Sequence, residues 1–197
     1  MKRLLTAAIV MATAASTAAA AEFVVKPGGD NKVVFVSKAT METFEGKTKN
    51  LSGTIVVDPA AAFDSMSVHL EVDLTTLDTG IAKRNQHMRD HHLETSKYPK
   101  AVFDGAAVTG AQGAKLEPGK ATTFDCEGTF SLHGVSRRLH IPVEATYTPK
   151  GAGGKIVFST RFPVGLADYN IDLPQFLFMK LADTQDVHVN GVAVASP

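Results

Sequence analysis

The stretch RNQHMRDHHLETSKYP, Arg84–Pro99, holds three histidines, two arginines and two acids within sixteen residues. His87 and His91 stand four apart, so on a helix they share a face and could grip a metal ion through their imidazoles. The pattern is H-x-x-x-H, however, without the glutamate that sits beside the first histidine of zinc-hydrolase helices. On an α-helix His92 would point about 100° away from His91 and stand outside such a clamp. Solvated helix histidines are the simpler reading, and no metal is assigned. Arg84 and Arg89 also have two readings. They could read an anionic head group, or they could fasten the helix by pairing with Asp73, Asp78, Asp90 or Glu94. The second is favoured, because a guanidinium fork matches a planar carboxylate.

Other chemistry is sparse. There is no G-x-S-x-G elbow, and Ser131 and His133 lie two apart with no acid placed beside them. GAGG does not lead a strand into a helix, so it is a weak phosphate cradle. His133 falls in a turn, while His69, His140 and His188 fall on polar strand faces, where solvent exposure is expected. No catalytic residue and no cofactor are assigned.

The elements that must position the histidine stretch are strands. SVHLEVDLTTL alternates with period two, placing Val68, Leu70, Val72 and Leu74 on one face. TTFDCEGTFSL puts Phe124, Cys126, Phe130 and Leu132 on one side, and RRLHIPVEATY does the same with Leu139, Ile141, Val143, Ala145 and Tyr147. HGVS joins these two runs, and Gly134 supplies the positive φ of a tight hairpin. Pro142 predicts a bulge or a position lacking an N–H partner. Further strands are expected at KVVFVSK, METFEGKTKNLSGTIVVD, KAVFDGAAVT, KIVFSTRFPV and DVHVNGVAV. One stretch, TGIAKRNQHMRDHHLET, has no alternation; it predicts a helix capped by Thr79 and stopped at Tyr98-Pro99. Sequential strands with short turns argue for one antiparallel sheet, closed as a barrel or split as a sandwich.

The chain has 197 residues, 44% hydrophobic and 20% charged, which suits one domain with a real core. Residues 1–21 combine Lys2 and Arg3, an apolar run from Leu4 to Ala15, and small residues ending at Ala21. That is the pattern of a Sec-type signal peptide cleaved near Ala21–Glu22, too short for a stable membrane anchor. Residues 22–197 are then a single domain, expected in the periplasm. Without Lys2 and Arg3 the count is 18 basic and 20 acidic residues, a net charge of −2 that disfavours nucleic acid as a partner. The lone cysteine, Cys126, excludes an internal disulfide and is expected to be buried.

The inward faces offer Val68, Leu70, Val72, Leu74, Phe103, Phe124, Phe130, Ile141, Val143, Phe158 and Phe162. Barrels of about eight strands either fill with such side chains or enclose one small ligand, and pattern alone does not decide.

Three motifs, in order and spacing, resemble the YceI-like family of secreted, polyisoprenoid-binding proteins. DLTTLDTGIAKRNQHMR is similar to its strand-then-helix signature with the H-[LM]-R triplet. KYPKAVFDG is similar to its K-Y-P-x-x-x-F strand, and GTFSLHGVSRRLHIPV to its G-x-[LF]-[ST]-[LI]-[HN]-G-V-[ST]-[KR] hairpin. The chain departs from many members where DHHLETS replaces a segment containing [AP]-D-F-F, and there resembles a second branch. The resemblance implies an all-β fold with one inserted helix, an antiparallel lipocalin-like barrel of about eight strands. It implies an apolar tunnel for a long-chain amphiphile such as a polyprenyl phosphate, quinone or fatty amide, and no catalysis.

The expected tunnel lining is therefore the inward set above, joined by Met88, Leu93 and Phe176. Arg84, His87 and Arg89 are expected at the lid and head group. A non-enzymatic periplasmic carrier of an isoprenoid-like lipid is the expected function, with no nucleic acid and no stable membrane anchor; a homodimer is left open. Two rivals stay open, an enzyme acting on a hydrophobic substrate and a ligand-free envelope interaction module.

Overall fold

The computed structural model describes residues 20–38, 42–59, 66–109, 115–150, 153–173, 175–176 and 179–196, and for 106–109, 175–176 and 179–180 the backbone alone. Most of the expected signal segment and the side chain of Phe176 lie outside the described residues.

The alternating runs become strands: β1 (Ala21–Val25), β2 (Lys32–Lys38), β3 (Thr43–Thr48), β4 (Leu51–Val57), β5 (Ser67–Asp73) and β6 (Lys100–Thr109). They are followed by β7 (Ala121–Leu132), β8 (Val135–Lys150), β9 (Gly153–Gly165), β10 (Gln175–Phe176), β11 (Met179–Lys180) and β12 (Thr184–Ala195). Antiparallel pairing runs β1-β4-β5-β6-β7-β8-β9-β12, and β12 pairs back onto β1, closing a barrel of eight strands. Closure leaves these strands no free sheet edge. β12 carries two partners in turn, β2 along Asp186–Asn190 and β1 along Ala193–Ala195. Buried Asn31 stitches the changeover: its Oδ1 accepts from Val192 N at 3.0 Å and its Nδ2 donates to Lys26 O at 2.7 Å.

The expected hairpin holds. His133 and Gly134 both take positive φ, +52° and +77°, matching the twist of β7 and β8 with a two-residue turn. One expectation is corrected. METFEGKTKNLSGTIVVD is two strands, because the chain breaks after Thr48. Of the two alternatives at Pro142 the second fits: there is no bulge in the β7–β8 register, and the residue stands outside the β8–β9 ladder, which begins at Val143. A register shift lies in β6, between Gly105 and Ala107.

Between β5 and β6 the chain leaves the sheet for α1 (Ala82–His87), continued by a π-helical turn, Met88–His92. Thr79 does not cap this helix; Ile81 occupies that position. The Thr79 hydroxyl and N–H both donate to Oδ1 of buried Asn85, each at 2.7 Å. Asn85 Nδ2 in turn donates to Asp78 at 2.6 Å, so one amide folds the approach to the helix.

Candidate functional site

The barrel is packed at one end and hollow at the other. In the packed half Phe124, Ile141, Ala145, Ile156, Phe158 and Ala193 are buried, and Phe23 meets Tyr147 edge-on at 6.0 Å. Glycines opposite the large rings make this density attainable. A Cβ on Gly191 would lie 2.3 Å from the ring of Phe158, and one on Gly128 2.5 Å from that of Phe103. At the other end lies a cavity of about 780 Å³. Its wall includes Val72 on β5, Phe130 on β7, Phe162 on β9 and Val189 on β12. Phe130 and Phe162 meet edge-on at 5.7 Å within that wall.

Of the expected lining, Val72, Leu74, Met88, Leu93, Phe130 and Phe162 bound the cavity. Val68, Leu70, Phe103, Phe124, Ile141, Val143 and Phe158 do not; they pack in or against the core below it. The cavity thus takes in part of the expected lining. Alternation places a side chain on the inner face but is silent about its depth along the barrel axis. The wall also includes Phe35, Phe44, Leu77, Leu132, Val164 and Val187, none of which was in the expected lining, although Leu132 was placed on the same strand face as Phe130.

α1 and its π-turn cover the open end. Arg84 donates to Glu42 at 2.7 Å and to Thr79 Oγ1 and O at 3.0 Å, and its guanidinium lies 4.1 Å over the Phe44 ring. Arg89 donates to the carbonyls of Thr75 and Leu77 at 3.3 and 3.2 Å, and is not part of the cavity wall. Both arginines thus fasten the lid. Arg84 does so through Glu42, which was not among the expected acids. Arg89 does so through carbonyls, with its charge adding to the Asn85 hydrogen bond that holds the pKa of Asp78, which was among them, below its usual value. His133 is corrected from exposed to nearly buried. Its Nδ1 donates to Tyr169 O at 3.0 Å, Nε2 meets Glu94 at 2.8 Å, and its ring packs on Tyr98. The hairpin turn is thereby tied to the end of the lid. His69 and His140 are exposed, and His188 is half-buried.

The π-turn changes the histidine geometry. His92 is five residues from His87, the spacing a π-helix brings into register. Their rings lie 5.1 Å apart, and those of His87 and His91 4.8 Å. All three line the mouth of the cavity, where α-helical spacing would have excluded His92. No group of three or more His, Cys, Asp or Glu among the described residues is arranged to hold a metal ion. Burial pushes the His92 pKa down, with His87 and His91 adding to the shift and the Asp172 carbonyl, 3.0 Å from Nδ1, opposing it.

The deeper wall is apolar with two polar interruptions, Ser37 on β2 and Gln185 on β12, exposed by 0% and 6%. Glu42, Lys83, Asp90 and Asp172 also border the cavity, but all four are exposed at its mouth, as is Ile81. Cys126 is buried in the packed half, where burial pushes its thiol up to about 11. No helix among the described residues is long and apolar enough to cross a membrane.

Known proteins share this architecture. The chain is 29% identical to a UPF0312 protein of Vibrio parahaemolyticus over 181 residues, covering 89% of each chain. It is 30% identical to Protein YceI of Shigella flexneri over 176 residues, covering 85% of this chain and 84% of the relative. A polyisoprenoid-binding domain from Saccharophagus degradans, implicated in plant cell wall breakdown, superposes with a TM-score of 0.68 at 22% identity. That match covers 90% of this chain and 99% of the other. Burkholderia cenocepacia BcnA superposes with a TM-score of 0.66 at 22% identity, over 82% and 95% of the two chains. These two solved structures share the fold, and the family model of the YceI-like domain matches residues 15–193. The chain belongs to the YceI-like domain family.

Proposed function

We propose that this protein is a periplasmic binding or carrier protein that sequesters a long-chain, isoprenoid-like lipid beneath its lid. The cavity carries this reading. Its volume of about 780 Å³ lies within the roughly 300–1,000 Å³ range of small-molecule sites. Its deeper wall is aliphatic and aromatic. An apolar tail leaving water for such a space gains ~25 cal/mol per Å², so retention requires no special chemistry. The Saccharophagus domain of the same fold is polyisoprenoid-binding, which supports an isoprenoid tail here. Binding is favoured over catalysis because the acids and the lysine that border the cavity are exposed at its mouth. Residues 1–21 support export through the Sec route.

The test is organic extraction of the native protein followed by mass spectrometry, with cell fractionation alongside. A stoichiometric prenyl or other long-chain lipid in a periplasmic protein is expected. Repeatedly empty extracts, together with no uptake of lipid from vesicles, would leave a ligand-free interaction module as the better account.

A further inference from the structure

We infer that residues 166–172 form a side door to the cavity, which Glu94 and His133 latch to the lid. The inference rests on the lipid-binding reading and adds the route by which an apolar ligand enters and leaves.

The door stands where two strands of the wall part. The β8–β9 ladder stops at Val143↔Thr160. Toward the lid, β8 continues to Val135 paired with β7, and β9 continues to Gly165 paired with β12. Pro142 and Pro163, one on each parted strand, bring no N–H with which to rejoin them. Arg137 shows how open the wall is here: it stands opposite inward Phe130 in the β7–β8 register, hence on the same face, yet it is exposed. One short helical turn, Leu166–Tyr169, packs against both parted strands. Tyr169 is buried there, edge-on to Phe130 at 5.6 Å, and Leu166 and Ile171 line the cavity.

Side chains from three elements hold this segment by its carbonyls. Asp168 O accepts from Arg137 Nε at 3.1 Å, Tyr169 O from His133 Nδ1 at 3.0 Å, and Asp172 O from His92 Nδ1 of the lid at 3.0 Å. His133 Nε2 meets Glu94 Oε2 at 2.8 Å, which joins the door to the end of the lid. The backbone singles out the same junction. Glu94, His133 and Asn170 are the non-glycine residues with positive φ among the described residues, at +43°, +52° and +54°. The hairpin turn demands this of His133, and asparagine tolerates it. Glu94 follows the last turn of the lid helix, where glycine is the usual left-handed residue. A glutamate there accepts strain that glycine would avoid, and in return it sets a carboxylate on His133. Strain of this kind collects at segments that switch. The opposite end of the lid is tied by backbone, Lys47 and Asp78 exchanging two bonds at 2.9 Å, and serves as the hinge.

Stopped-flow binding of N-phenyl-naphthylamine, an apolar probe that fluoresces on leaving water, to the purified protein freed of lipid tests this. Glu94→Gly removes the latch and relieves the backbone. Its Tm should stay close to that of the natural chain, while probe association and dissociation both quicken about tenfold and Kd changes little. Glu94→Gln keeps a hydrogen-bonding group at the position and should stay near the natural rates. Arg137→Cys with Asp168→Cys, joined by a short bismaleimide, pins the door to β8; buried Cys126, its thiol pushed up to about 11, does not compete for the reagent. Cross-linking should slow probe uptake about tenfold and leave final occupancy unchanged. Uptake indifferent to the cross-link, or natural rates in Glu94→Gly, overturns the side door while the cavity stands. If the probe does not bind the natural chain, the cavity reading falls and takes the inference with it. Glu94→Gly decides by itself if the double variant does not fold.

Discussion

Phe158 and Phe162 lie four apart on β9, both inward and both buried, yet they do different work. Phe158 is laid over Gly191 within the packed half, whereas Phe162 borders open space in the cavity wall. Phe158→Ala should therefore cost ~3–5 kcal/mol, the range for deleting a well-packed ring, and should deepen the cavity. Phe162→Ala should cost less, because one side of its ring has fewer atoms to lose. Urea unfolding of both variants measures the difference; equal losses would mean that the two rings share one solid core. The inward direction of both was legible from alternation. Their difference was not, since it depends on a glycine on β12 that is more than thirty residues away in sequence. Ser37 and Gln185 were legible in the same way, as polar residues on apolar stripes, and a search for chemical motifs passes over them.

At the scale of the element, the lid shows how a helix can be foreseen while its geometry is not. Absence of period two between Thr79 and Thr95 located it. Its start was misjudged because its N-cap position lies two residues later, at Ile81, while the Thr79 hydroxyl donates to buried Asn85 and accepts from Arg84 Nε. Its π-turn, which gathers His92 with His87, leaves no mark in composition. That turn has a pH consequence. An unfolded histidine titrates near 6.5, and burial in the lid holds the His92 value below its ordinary one. Stability from the neutral ring is thus fully present above about pH 6.5 and is lost as pH falls through the lowered folded value. Protection factors at Met88–Leu93, with the intrinsic pH dependence of amide exchange divided out, should fall on acidification from pH 8 to 5, and His92→Phe should flatten that response. Unchanged protection across this range in the natural chain would show that His92 is not excluded from protonation.

For the whole molecule, the hollow half implies linkage between occupancy and stability. A ligand at one hundred times its Kd adds ~2.7 kcal/mol. With roughly 2–4 °C per kcal/mol for a chain of this size, the Tm of lipid-free protein should rise by about 5–10 °C on loading. Calorimetric melting of protein refolded without lipid, before and after addition of a prenyl alcohol, checks this; an unchanged Tm would argue against a site that binds only the folded barrel. Opening the packed half to match the other would lose the burial that holds an unbridged barrel together, since the chain's lone cysteine leaves it without an internal disulfide.

Sequence alone determined the strands, the face each presents inward, the β7–β8 hairpin and the burial of Cys126, because each follows from local periodicity or from a single residue's conformational preference. It also marked where the sheet is interrupted by the lid. Only the tertiary structure decided which inward side chains meet across the barrel and which stop short, and therefore where core ends and cavity begins. That boundary depends on the pairing of bulky rings with glycines brought opposite them by strand register, a relation between distant segments that no local pattern encodes.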